Sequence, residues 1–180
     1  MLKIGGIVMA ALFVVSLTPT AASAMPTDSD AKEAKVYRQI SLPRKSSAYT
    51  ELNSMVIRTQ AQFDAFFKQA RAGSISRYAA QAWQQMEDAL REGKIDFETE
   101  ALVLLRYPRG ISGSATVILD EPTLKDRMLT CHLRHETPEL STSDISYRIV
   151  ALAISKADVD KVTLAGDKPT ELSVTAEASN

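Results

Sequence analysis

The apolar spacing of this chain is helical over about residues 60–92 and changes period after Gly93, and that change restricts the folds open to it. Phe63, Phe66, Phe67 and Ala70 fall at i, i+3, i+4 and i+7, predicting a helix over about Gln60 to Ala72. Thr59 with Gln62 makes a capping-box pattern at its start, and Gly73 stands at its end. A second helix is predicted from Arg77 to Glu92, with Ala79, Ala82, Trp83, Met86 and Leu90 on one face and Gly93 after it. Aromatic stripes at this spacing pack cores, so both helices are expected to cover a sheet.

From Ile95 onward the pattern is that of strands. Ala101 to Tyr107 is apolar on both parities, as a strand covered on both sides requires. Ser114–Leu119 follows. In Met128–His135, Leu129, Cys131 and Leu133 face one way, and Thr130, His132 and Arg134 the other. Ile145–Ile154 and Val162–Leu164 complete the series, while Val36–Leu42 and Met55–Ile57 are short strand candidates ahead of the helices. Helices grouped before strands predict an α+β fold: two N-terminal helices packed on a mainly antiparallel sheet of about five or six strands. A β-sandwich with a helical insert is the alternative.

The N-terminus reads as an export signal. Lys3 is the only charge before Asp28, and Ile4 to Leu17 is an apolar run too short for the ~20 residues of a spanning helix. Pro19 breaks the run, and Ala22-Ser23-Ala24 offers the small residues a signal peptidase reads, with cleavage expected after Ala24. The expected organisation is a signal peptide over 1–24, a flexible lead-in over 25–34, one globular domain over 35–165 and a flexible tail over 166–180. A periplasmic or secreted protein follows, with no membrane span once the signal is removed.

Charge and cysteine content narrow the function. Cleavage takes one of the 21 basic residues and none of the 22 acidic ones, leaving a slightly acidic chain with no field to hold nucleic acid. Cys131 is the single cysteine, so no internal disulfide is possible and packing alone must hold the fold; it reads as a small buried hydrophobe.

Candidate chemistry is sparse. His132 and His135 are the only histidines, and their odd spacing on a strand points them to opposite faces, which argues against a shared metal. Cys131 and His135 are four residues apart, about 13 Å along a strand, too far for a nucleophile–base pair. Gly110-Ile111-Ser112-Gly113-Ser114 lacks the G-x-S-x-G spacing of a nucleophile elbow and leads into a strand where an elbow would start a helix. Asp96, Glu98 and Glu100 alternate before the central strand and read as a charged entry that blocks edge pairing. Arg106, Arg109, Ser112 and Ser114 gather basic and hydroxyl groups around a glycine-bearing loop, which makes them the candidate partner-binding residues. No metal, cofactor or catalytic set is expected. The alternatives are an exported hydrolase assembled from Asp96, Glu98, Ser112, His132 and His135, or an envelope protein binding a small ligand.

Several stretches, taken in order, resemble the PrcB-like family of exported bacterial proteins, named for a subunit of a surface protease complex. They are Val56-Ile57 leading into Thr59-Gln60-Ala61-Gln62-Phe63, then Ile95-Asp96-Phe97, Ala101-Leu102-Val103, the Gly110–Ser114 loop, and Tyr147 to Lys156. Together they span about residues 54–165. The family's loop often reads Thr-Gly-Gly, where this chain has Ile111-Ser112-Gly113-Ser114. The resemblance implies a non-enzymatic accessory module that docks onto or stabilises another exported protein, such as a protease, and it carries over no catalytic residue.

Overall fold

The computed structural model describes residues 36–43, 52–74, 76–166 and 168–175, all within the unit formed by residues 34–180. The expected signal peptide, its expected cleavage point after Ala24 and the expected lead-in over 25–34 lie outside the described residues. Element order is β1 (Tyr37–Ile40), β2 (Met55–Ile57), α1 (Gln60–Ala72), α2 (Arg77–Glu92), β3 (Glu100–Arg106), β4 (Ile111–Ser112), β5 (Thr116–Leu119), β6 (Thr123–Lys125), β7 (Met128–Cys131), β8 (Leu133–Glu136), β9 (Ile145–Ser146), β10 (Ile149–Ser155), β11 (Lys161–Leu164) and β12 (Thr170–Ser173).

The two helices form where their apolar spacing places them. Thr59 Oγ1 accepts from the Gln62 amide at 3.1 Å, and the Gln62 side chain reaches back to the Arg58 amide. Ser76 caps α2 in the same way through the Ala79 amide. Gly93 ends α2 without leaving the right-handed region; the left-handed turn falls on Lys94, at φ 48°. Proximity favours the glycine instead. A Cβ there would lie 3.0 Å from Ile40 Cγ2, and the Gly93 carbonyl accepts from Arg38.

The strands overturn the expected α+β arrangement of two helices on one sheet. Among the described residues, twelve strands divide into a four-stranded sheet ordered β1-β10-β3-β2, a second ordered β12-β11-β7-β6, and the pairs β4-β9 and β5-β8. A β-sandwich with a helical insert, the alternative expectation, fits. The physical reason lies in β3 and β10. β3 presents large apolar groups on both faces, β10 presents them on one with Ala151 and Ala153 on the other, and two helices can cover only one face. Leu102, Leu104, Ala151 and Ala153 meet Phe63, Phe67, Trp83, Met86 and Leu90 of the helices. On the opposite face Val103, Leu105, Val150, Leu152 and Ile154 meet Leu129, Cys131, Val162 and Leu164 of the second sheet. A second sheet is what buries that face.

Two long strands expected from sequence are each broken. Pairing runs Leu119↔Leu133, then resumes as Thr123↔Thr130, one residue out of step, so the β5–β6 side carries a bulge around Asp120–Pro122. His132 sits opposite that bulge, where its carbonyl accepts from the Asp120 amide, and it separates β7 from β8. Ile145–Ile154 is likewise divided into β9 and β10. The expected tail also carries a strand. Thr170–Ser173 pairs with β11, Val174 behind it is fully buried, and the Arg58 guanidinium donates to the carbonyls of Ser173, Val174 and Thr175. Small polar residues hid a strand whose order comes from pairing rather than composition.

Candidate partner-docking face

Beyond β3 and β10 the same two stretches of chain pair again as β4 and β9. Tyr107 donates its amide to the Arg148 carbonyl, and the next pair is Ile111↔Ser146. Three residues on one side, Pro108-Arg109-Gly110, therefore face one on the other, Tyr147, and the longer side bulges out. Beyond this β4–β9 clasp, the 137–145 segment lies exposed.

A closed ring of polar groups holds that segment. The Thr142 amide donates to Ser114 Oγ at 3.2 Å, and Ser112 Oγ donates to the Thr142 carbonyl at 2.8 Å. The two serine oxygens are 3.0 Å apart, so the Ser114 hydroxyl completes the ring by donating to Ser112. The glycines are explained by close approach. A Cβ on Gly113 would fall 2.0 Å from Asp144 Oδ2, and one on Gly110 would fall 2.5 Å from Ile145 Cγ2. Neither glycine has positive φ.

The four residues singled out from sequence thus occupy different positions. Ser112 and Ser114 are brought together, but half-buried and turned onto Thr142. Arg106 is half-buried at the end of β3, its guanidinium 4.6 Å above the Tyr147 ring and its amide donating to Ser54 Oγ. Arg109 is exposed on the bulge. What the sequence reading missed is apolar: Leu140 is 92% exposed and Ile145 68% exposed, both on the segment clasped by the serines. A lone leucine in a polar loop carries no periodic signal, so only the pairing of β4 with β9 shows where it is held.

The hydrolase candidates are not brought together. Asp96 accepts from Thr99 Oγ1 and from the Glu98 amide, shaping the turn into β3. These hydrogen bonds hold its carboxyl below the ordinary range. Glu100 is no edge guard, because β3 is an inner strand; its carboxylate takes a two-pronged contact from Arg38 at 2.9 and 3.1 Å. His135 lies past the other end of β3, its Nδ1 2.7 Å from Tyr107 Oη. Roughly 20 Å of strand separates it from Asp96. Cys131 is fully buried, and that burial pushes its thiol up to about 12, so it stays a neutral packing group. No group of three or more His, Cys, Asp or Glu side chains among the described residues could hold a metal ion. No helix among them is long and apolar enough to cross a membrane.

Beside the clasp lies a groove of about 360 Å³. One wall is the end of β1, from Gln39 to Pro43, and the other is the Gly113–Val117 turn with Thr142. Tyr147 to Val150 form its floor. No family model, no curated protein and no solved structure matches this chain.

Proposed function

We propose that this chain is an exported, non-catalytic accessory protein that docks onto another exported protein, such as a protease, through the face formed by the Gly110–Ser114 loop and the 137–145 segment. The observation that carries this reading is the exposure of Leu140 and Ile145 on a segment held in place from behind. Single exposed aliphatics are ordinary on protein surfaces. Here two lie on one loop that is tied down at Thr142 by the serine ring and at Asp144 by the Gly113 amide. A held loop loses little conformational freedom on binding, so its apolar side chains contribute more of their burial to affinity. Arg109, on the adjoining bulge, supplies the polar rim of the same face. Ser112 and Ser114 act as positioning residues that keep Thr142 in place.

Export rests on Lys3, the apolar run to Leu17 and the Ala22-Ser23-Ala24 site. The docking role is also supported by the resemblance to the PrcB-like family. The test compares capture of partners from the envelope and secreted fractions by the wild-type chain and by a Leu140→Asp, Ile145→Asp variant. The wild type is expected to retain a protein that the variant loses, with the two melting within a degree or two of each other. Equal capture by both would remove this face from the reading.

A further inference from the structure

The groove has a chemistry of its own, set by a strand that outruns its neighbour. β10 pairs with β3 from Ser155↔Glu100 down to Ile149↔Arg106, but its pairing with β1 stops at Ala151↔Ile40. Past Ile40 the chain turns away through Ser41, Leu42 and Pro43 and becomes the groove wall. The direction of the exposed backbone follows from alternation. Arg148 turns its carbonyl toward Tyr107, and Ser155 turns its amide toward Val36 on the β1 side. Main-chain groups alternate between the two edges of a strand, so Tyr147 and Ile149 turn theirs to the edge that β1 has left. Among the described residues no strand pairs with that edge, so the groove presents backbone donors and acceptors at strand spacing, with Val117 in its wall, Ile149 and Val150 in its floor, and the Arg148 guanidinium crossing to the Gly113 and Ala115 carbonyls.

We propose that this groove takes an extended peptide segment of the partner as an added strand beside β10, in the place β1 vacates. The identity of that partner rests on the docking reading above; the groove geometry does not. A volume of about 360 Å³ sits at the low end of small-ligand pockets, which run to about 1,000 Å³, and suits a few residues rather than a folded element. The floor spans four residues, about 13 Å at the usual strand rise. Main-chain pairing supplies the affinity, and small β-branched side chains at alternate positions suit the apolar walls. Continuity supports the occupant as well. Thr142 lies both in the groove wall and in the ring that holds the exposed loop, so a partner seated on Leu140 and Ile145 has an entry to β10 at its side.

The probe is the acetylated, amidated peptide Val-Thr-Val-Thr, added to the isotope-labelled full chain and followed by amide NMR shifts. Saturating shifts at Ile149 and Ser41, with slowed exchange of the Ile149 amide, are expected. The same peptide methylated on its backbone nitrogens keeps its side chains but loses its donors, and is expected to bind at least tenfold more weakly. Thr116→Trp, on an exposed position of the rim, is expected to weaken binding of the unmodified peptide by a similar factor. Equal binding of the two peptides, shifts elsewhere, or no shift at millimolar peptide would overturn the proposal. Loss of partner capture by the Leu140→Asp, Ile145→Asp variant alongside no response at Ile149 would leave the docking face standing and remove the groove. The converse pair of results would do the opposite.

Discussion

The β3–β10 pair and the β4–β9 pair belong to the same two stretches of chain, yet they are held by different forces. Ala101 to Leu105 and Ala151 to Ile154 are almost completely inaccessible, sandwiched between helices and the second sheet. Past the Pro108–Gly110 bulge the buried cluster is small. Ile111 packs with Tyr107 and Ala115, and hydroxyl groups do the rest. The inner half is stabilised by area removed from water, the outer half by a few hydrogen bonds worth about 1 kcal/mol each. A ribbon built this way has a rigid root and a tip that can be reshaped with little effect on folding, which suits a contact surface.

The largest expected effect is at the root. Leu102→Ala removes a fully buried side chain from between β3 and the helices, and should cost about 3–4 kcal/mol in urea melts. Ile111→Ala at the tip should cost less than half of that, because its site can collapse toward solvent. Equal losses would break the comparison.

A smaller effect sharpens it. Replacing Ser112 and Ser114 by alanine opens the ring around Thr142 and should cost about 1–2 kcal/mol locally. Hydrogen exchange at the Thr142 amide should rise about tenfold, by the 1.4 kcal/mol conversion, while the Leu104 amide keeps its wild-type protection. Faster exchange at Leu104 would show that tip and root open as one unit.

The smallest effect concerns acid. The Arg38 guanidinium holds the Glu100 carboxyl below its usual range, more than burial raises it. The folded state therefore favours the charged form, so this contribution is present above the ordinary carboxylate range and lost as pH falls through the lowered value. Arg38 is 41% exposed, which keeps the contribution under about 1 kcal/mol. Arg38→Ala should flatten the acid limb of the stability curve slightly; an unchanged limb would mean the pair does not stabilise the root.

Much of the root was legible in the residues. The bounds of α1 and α2, the doubly covered strand at Ala101 and the burial of Cys131 follow from spacing alone, because a side chain's direction repeats every 3.6 or 2 residues. The tip was legible only in composition. Gly110 to Ser114 stood out as an unusual loop, but that its serines turn inward while Leu140 and Ile145 turn outward depends on a segment some 30 residues away.

What the amino acids determined by themselves was local: which segments coil, which extend, where they cap, and that one thiol must pack without a partner. Tertiary structure alone decided how many sheets those strands make, where the long strands break, and which loop is held against which. The reason is that periodicity reports whether a face must be covered, whereas the covering partner is chosen by register and by close approaches between residues far apart in sequence.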